Sequence, residues 1–173
     1  MSSVRALRDS QGYQRFCAAR GAATIARHIA AGGSTHGVFV TGATGFIGKR
    51  LVKTLLARRG STVYFLLRPE SEAKAVDLLE YWGVSKQRAV PVFGDLTEKK
   101  LGVAPEHVKA LKGRIDAVYH LAAVYDLAAD EESQVRTNIE GTRNVVDFAQ
   151  AIAAKHLHHV SSIAAAGLYE GVF

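Results

Sequence analysis

Three observations predict an α/β chain built on a doubly wound parallel sheet. A short apolar strand, Val38-Phe39-Val40, runs into the glycine turn Thr41-Gly42-Ala43-Thr44-Gly45-Phe46-Ile47-Gly48, and a helical pattern from Lys49 to Arg59 runs out of it. Strand and helix patterns then alternate along the chain, the grammar of strands joined by crossover helices. The clearest of the later strands is a nearly continuous apolar run rather than an alternating one, as burial on both faces requires.

Each element follows in order. The glycine turn divides three tasks: Gly42 permits the tight turn, Gly45 lets backbone approach a pyrophosphate, and Gly48 lets the helix pack on the strand. The helix start adds unpaired N–H groups and a positive dipole end. Gly42, Ala43, Thr44, Gly45, Phe46, Ile47 and Gly48 are therefore the candidate phosphate-binding residues of a dinucleotide site, and the sheet is of Rossmann type. Thr62 to Leu67 reads as the second strand and Glu72 to Trp82 as the second helix. Val90-Pro91-Val92-Phe93 reads as a third strand in which Pro91, lacking an N–H, argues for the sheet edge or a strand start. Pro105 opens a short helix through about Lys112. Asp116 to Leu121 is the fourth strand, about Glu131 to Ala153 a long helix, and His158 to Ser161 the fifth strand.

The end of the second strand bears on the cofactor. An NAD enzyme usually places a carboxylate there, against the ribose 2′-hydroxyl. This chain has Leu67-Arg68-Pro69 instead, and a guanidinium pairs with a 2′-phosphate that a carboxylate would repel. NADP(H) is therefore favoured over NAD(H), with Lys49 and Arg50 adding positive potential; the plainer alternative is that Arg68 is a solvated surface arginine.

The chain has 173 residues, 48% of them hydrophobic, enough for one α/β domain with a core. No 18-residue apolar run is present, so no transmembrane segment is expected. Cys17 is the only cysteine, which excludes an internal disulfide and suits a cytoplasmic location. His156, His158 and His159 do not suggest a metal site, because strand alternation points the last two to opposite faces. Of the net charge of +6, most comes from residues 1–36, where Arg5, Arg8, Arg15, Arg20 and Arg27 face Asp9 alone. No basic stripe interleaved with aromatics follows, so nucleic acid is not an expected partner. The domain division is a leader at 1–36 and a dinucleotide-binding domain at 37–173. The leader is either a loosely attached helical or flexible extension or, by its Ala, Arg and Ser content, an organelle-targeting segment.

Five ordered motifs carry a family resemblance: the glycine turn, Gly94-Asp95-Leu96-Thr97, His120-Leu121-Ala122-Ala123, Asn138-Ile139-Glu140-Gly141-Thr142, and Val160-Ser161-Ser162. Together they resemble the extended short-chain dehydrogenases/reductases, and within them the fatty acyl-CoA reductase and thioester reductase branch. The resemblance covers about Gly37 to Phe173. It implies that Gly42 to Gly48 hold the pyrophosphate, Arg68 the adenosine 2′-phosphate, and Asp95 with Leu96 the adenine. It implies further that Leu121, Ala122 and Ala123 line the path of the two riboses. Asp95 is open to a second reading as a turn cap, and Asn138 either ties the long helix to the site or makes a structural bond. Ser162 matches the family's catalytic hydroxyl, which donates to the substrate carbonyl oxygen as charge develops on it; the plainer alternative is that Ser161 and Ser162 only end a strand.

One departure matters. The family's Tyr-x-x-x-Lys pair is absent: Tyr169 is the only tyrosine beyond Ser162, and Phe173 stands where the lysine would be. Loss of a general acid commonly costs about 10²- to 10⁴-fold in rate. The expectation is a sheet truncated after its fifth strand, the cofactor-binding part of a longer NADPH-dependent reductase of fatty acyl-CoA or related acyl thioesters, nearly inactive as it stands. The alternatives are a non-catalytic NADP-binding chain and, more weakly, a sugar-nucleotide epimerase or dehydratase. A homodimer like the family's is not expected, since its interface usually needs the helix that would carry the Tyr/Lys pair.

Overall fold

The computed structural model describes residues 36–123 and 135–162. The leader, residues 131–134 of the expected long helix, and Tyr169 with its neighbours lie outside the described residues. Five parallel strands form one sheet: β1 (His36–Thr41), β2 (Ser61–Leu67), β3 (Ala89–Phe93), β4 (Ile115–His120) and β5 (His156–His159), in the order β3-β2-β1-β4-β5. The intervening helices are α1 (Phe46–Ala57), α2 (Glu72–Trp82), α3 (Pro105–Leu111) and α4 (Gly141–Ala151), the last reached through a π-helical segment, Val135–Glu140.

The sheet is doubly wound because successive residues of its central strands feed two different cores. Val40, Val63, Phe65 and Leu67 pack with Val52, Leu55 and Leu56 of α1 and Leu78, Leu79 and Trp82 of α2. Phe39, Tyr64, Leu66, Val90, Val92 and Val118 face the other way, onto Leu111 of α3 and Val145, Phe148 and Ala149 of α4. Each core has an aromatic centre: Phe65 meets Trp82 edge-on at 5.3 Å, and Phe39 meets Phe148 at 4.7 Å. Trp82 also satisfies its buried indole N–H on the Lys49 carbonyl at 2.9 Å, pinning α2 to α1.

β3 is the sheet edge, as Pro91 requires. Gly94 N donates to Leu67 O and Arg88 O accepts from Val63 N, so even-numbered residues of this segment face β2. Pro91 faces outward, where its missing N–H costs no ladder bond.

Three expectations need correction. Helix α1 begins at Phe46 rather than Lys49, because the turn residues after Gly45 already wind into it. The fifth strand is His156–His159, two residues earlier than expected, since β5 pairs with β4 from Ala117↔His156 to His120↔His159. All four of its residues are exposed, so the apolar pattern used to place the other strands had nothing to report there. The long helix is not uniformly α-helical: residues 135–140 are wound as π. The two histidines do point to opposite faces, His158 stacking on Tyr119 at 4.6 Å and His159 lying 5.0 Å from His120. Among the described residues there is no group of metal-ligating side chains, and no helix is long and apolar enough to cross a membrane.

Candidate functional site: a cleft at the carboxyl ends of the strands

A cleft of about 400 Å³ opens where β1, β2, β3 and β4 end, the place where open α/β sheets bind ligands. Its floor is the glycine turn. Gly42 adopts φ +74°, and a Cβ there would lie 2.7 Å from Ala122 N, so the turn is both left-handed and pressed against the end of β4. Gly48 packs on Gly42 itself rather than on the strand: its Cβ would stand 2.0 Å from Gly42 O. A Cβ on Gly45 would meet only Gly42 O, at 3.3 Å, and Gly45 lines the cleft. Helix α1 carries no acidic residue in its first turn, so nothing there opposes an anion at its N-terminus.

The sequence-predicted residues divide into two groups. Gly42, Thr44, Gly45, Arg68, Asp95, Leu96, Leu121, Ala122 and Ala123 come together around the cleft. Ala43, Phe46, Ile47 and Gly48 do not line it: Ala43 and Gly48 are buried in the fold, whereas Phe46 and Ile47 are 74% and 58% exposed. The Phe46 ring lies 3.7 Å below the Arg50 guanidinium. Ser162 is exposed beyond β5 and is not among the lining residues.

The adenosine end is shaped by β2 and β3. Arg68 extends from the end of β2, 61% exposed, with Glu70 at 3.8 Å, an ion pair too long and too solvated to hold it firmly. Asp95 caps its own turn: its Oδ1 accepts from Thr97 N at 2.9 Å and from Thr97 Oγ1 at 2.8 Å. Asp95 is thus a turn cap, and it also lines the cleft. Gly94 is forced by close approach, since a Cβ would stand 2.2 Å from Leu101 O.

Lining residues that the sequence reasoning missed are Leu66, Leu67, Ser71, Lys74, Gly94, Thr97 and Thr137. Lys74 had a readable signal. It stands three residues after Ser71, which precedes α2, and that spacing puts both on one helical face. Thr137 had none, because a π turn shifts side chains off the α-helical period.

At the β4 end, His120 is buried, 1% exposed. Its Nδ1 lies 2.7 Å from Thr41 Oγ1 and its Nε2 3.0 Å from Thr142 Oγ1. Burial, with a smaller push from His159, lowers its pKa to about 4. Asn144 Nδ2 donates to Leu96 O at 2.8 Å, so Asn144, together with Thr142, ties α4 to the cleft.

Residues 40–172 match a nicotinamide-dinucleotide-binding family model described as "Male sterility protein". The chain belongs to this family. Related proteins include a linear gramicidin synthase of Brevibacillus parabrevis, 32% identical over 132 residues, covering 72% of this chain and 3% of that protein. A Drosophila melanogaster protein provisionally named a fatty acyl-CoA reductase, CG8306, is 31% identical over 142 residues, covering 72% of this chain and 28% of its own length. Among solved structures, the terminal R domain of the myxalamid PKS-NRPS pathway superposes with a TM-score of 0.65 at 30% identity, covering 76% of this chain and 36% of that one. The reductase domain of a Mycobacterium tuberculosis non-ribosomal peptide synthetase gives 0.65 at 26%, covering 85% and 38%. The chain thus spans well under half the length of each of these proteins.

Proposed function

We propose that this chain is the cofactor-binding part of an NADPH-dependent reductase of acyl thioesters, either acyl-CoA or acyl groups on a carrier. The observation that carries the cofactor choice is the charge of the cleft lining: Arg68 and Lys74 stand at the β2 end, and Asp95, on the β3 side, is the only carboxylate among the lining residues. A 2′-phosphate fits such an end and a bare ribose gains little from it. The substrate class rests on the family, whose members above include a reductase domain and a protein named for acyl-CoA reduction.

The residues present fit the dinucleotide. Gly42, Thr44 and Gly45 with the start of α1 would hold the pyrophosphate, Arg68 and Lys74 the 2′-phosphate, Asp95 and Leu96 the adenine, and Leu121 to Ala123 the riboses. When bound, NADPH supplies the hydride. Ser162 would donate a hydrogen bond to the carbonyl oxygen that gains negative charge. No tyrosine among these 173 residues is followed four residues later by lysine, so these residues do not themselves supply a family-type donor for the proton that must reach that oxygen. This favours a second statement: by itself the chain binds NADPH without turning thioesters over.

Calorimetric titration tests the cofactor reading. NADPH is expected to bind at least 10-fold more tightly than NADH, and Arg68→Ala to erase most of that ratio, about 1.4 kcal/mol. Equal affinities for the two dinucleotides would overturn it. Steady NADPH absorbance on addition of a fatty acyl-CoA, at protein concentrations that saturate with NADPH, is the expected result for turnover; acyl-CoA-dependent oxidation would overturn the statement of inactivity.

A further inference from the structure

Thr41 and His120 are two of the four polar or charged residues found buried among the described residues, and they bond each other across neighbouring strands. The protons of this cluster can be placed one by one. Asn138 O is a carbonyl and only accepts, so the Thr142 hydroxyl, 2.6 Å away, donates to it. The Thr142 oxygen has then spent its hydrogen, and His120 Nε2 at 3.0 Å must donate to it. A neutral ring carries one N–H, so Nδ1 is the acceptor and Thr41 Oγ1 donates to it across 2.7 Å. The Thr41 oxygen in turn accepts from Ala122 N at 3.3 Å. Every donor points the same way, from Ala122 N–H through Thr41, His120 and Thr142 to Asn138 C=O.

The two ends of this chain of bonds lie at or next to residues that line the cleft. Ala122 belongs to the Leu121–Ala123 wall, and Asn138 adjoins Thr137, which lines the cleft from the π-helical segment. We propose that His120 is a positioning residue, fixed as the neutral Nε2–H imidazole, that holds the Leu121–Ala123 segment and the Thr137 segment in register and so sets the affinity for the dinucleotide. This rests on the cofactor reading above. The groups facing the ring are Thr41 from β1, Thr142 from α4 and His159 from β5, of which only His159 carries an ionisable side chain. A proton added to Nδ1 would turn the ring into a donor to Thr41 Oγ1, which already accepts from Ala122 N–H, and would take away the acceptor of the Thr41 hydroxyl hydrogen, so protonation disturbs the bond that holds the Ala122 segment.

The test uses the full 173-residue chain, isotope-labelled for imidazole NMR, together with NADPH and NADH titrations. The wild type is expected to show a protonated Nε2 and an unprotonated Nδ1 on His120 from pH 7.5 down to about 5.5. Thr142→Val is expected to mix the tautomers and weaken dinucleotide binding about 10-fold, and Thr142→Ser to restore both. Thr142→Cys, a weaker acceptor of similar shape, replaces the valine variant if that one does not fold. An Nδ1–H tautomer in the wild type overturns the proposal, as does a valine or cysteine variant that shifts the tautomer yet binds as the wild type does. If the wild type prefers NADH, the NADP reading fails while the same variants read with NADH still judge His120. Binding of neither dinucleotide overturns both.

Discussion

Strands β2 and β5, on either side of the sheet centre, are held by different physics. On the β2 side, six of the seven residues of the strand are buried, and its helices close over it with Phe65, Trp82 and a layer of aliphatic side chains. On the β5 side all four strand residues are exposed. Beyond the backbone ladder to β4, the side-chain contacts there are a ring stack between Tyr119 and His158, a 2.6 Å ion pair between Lys155 and Asp116, and the bonds around His120. The strand whose end carries Arg68 is packed by dispersion, and β5, at the other flank of the sheet, is tied by directional polar contacts. Packing tolerates changes of pH and salt, whereas directional contacts respond to both.

That contrast can be broken at its strong side first. Phe65→Ala is expected to cost about 3–5 kcal/mol, whereas Leu157→Ala on β5, 39% exposed, should cost under about 1 kcal/mol. Urea denaturation of the two variants reads the difference directly, and similar losses would show that the two strands are equally packed. Gly48→Ala is next. Its Cβ would have to displace Gly42 O, and overpacking of this kind costs about 1–3 kcal/mol, with weaker dinucleotide binding expected because Gly42 lines the cleft.

The polar flank should be the one that feels acid. His120 titrates near 4 in the folded chain against an ordinary histidine value of 6.5, so between those values the unfolded chain binds more protons. Its contribution is therefore complete above about pH 6.5 and is lost as pH falls toward 4. Between pH 7.5 and 5 the loss attributable to His120 is about 2 kcal/mol. His120→Asn should flatten the fall in urea midpoint over that interval; an unchanged slope would mean that another group carries it. Smallest of all is Lys155→Ala, expected to change stability by at most about 1 kcal/mol and less in high salt, because its side chain is 67% exposed.

The same division explains what the sequence disclosed. Continuous apolar runs mark strands buried on both faces, so β1, β2 and β4 were legible to within a residue or two, and Pro91 announced the edge. β5 has no burial to record and was placed two residues late. In the cleft, the glycine spacing and Arg68 were legible because each is dictated by backbone geometry or charge at a strand end. Lys74 and Thr137 reach the cleft from helices, where only the winding of the helix decides which side chain arrives. The polar bonds of His120 were invisible for a further reason: they join residues 79 and 22 positions apart, and no local period records such a pairing.

Pro91 has a consequence for how the sheet grows. A sheet is in effect a polymer of strands with two ends, and addition at either end needs a file of N–H donors and carbonyl acceptors. At the β3 end the outward positions are 89, 91 and 93, and the middle one has no hydrogen to give. The β3 terminus is therefore one donor short, whereas the outward residues of β5, Leu157 and His159, each keep an N–H, so an added strand would find the fuller set of partners beside β5.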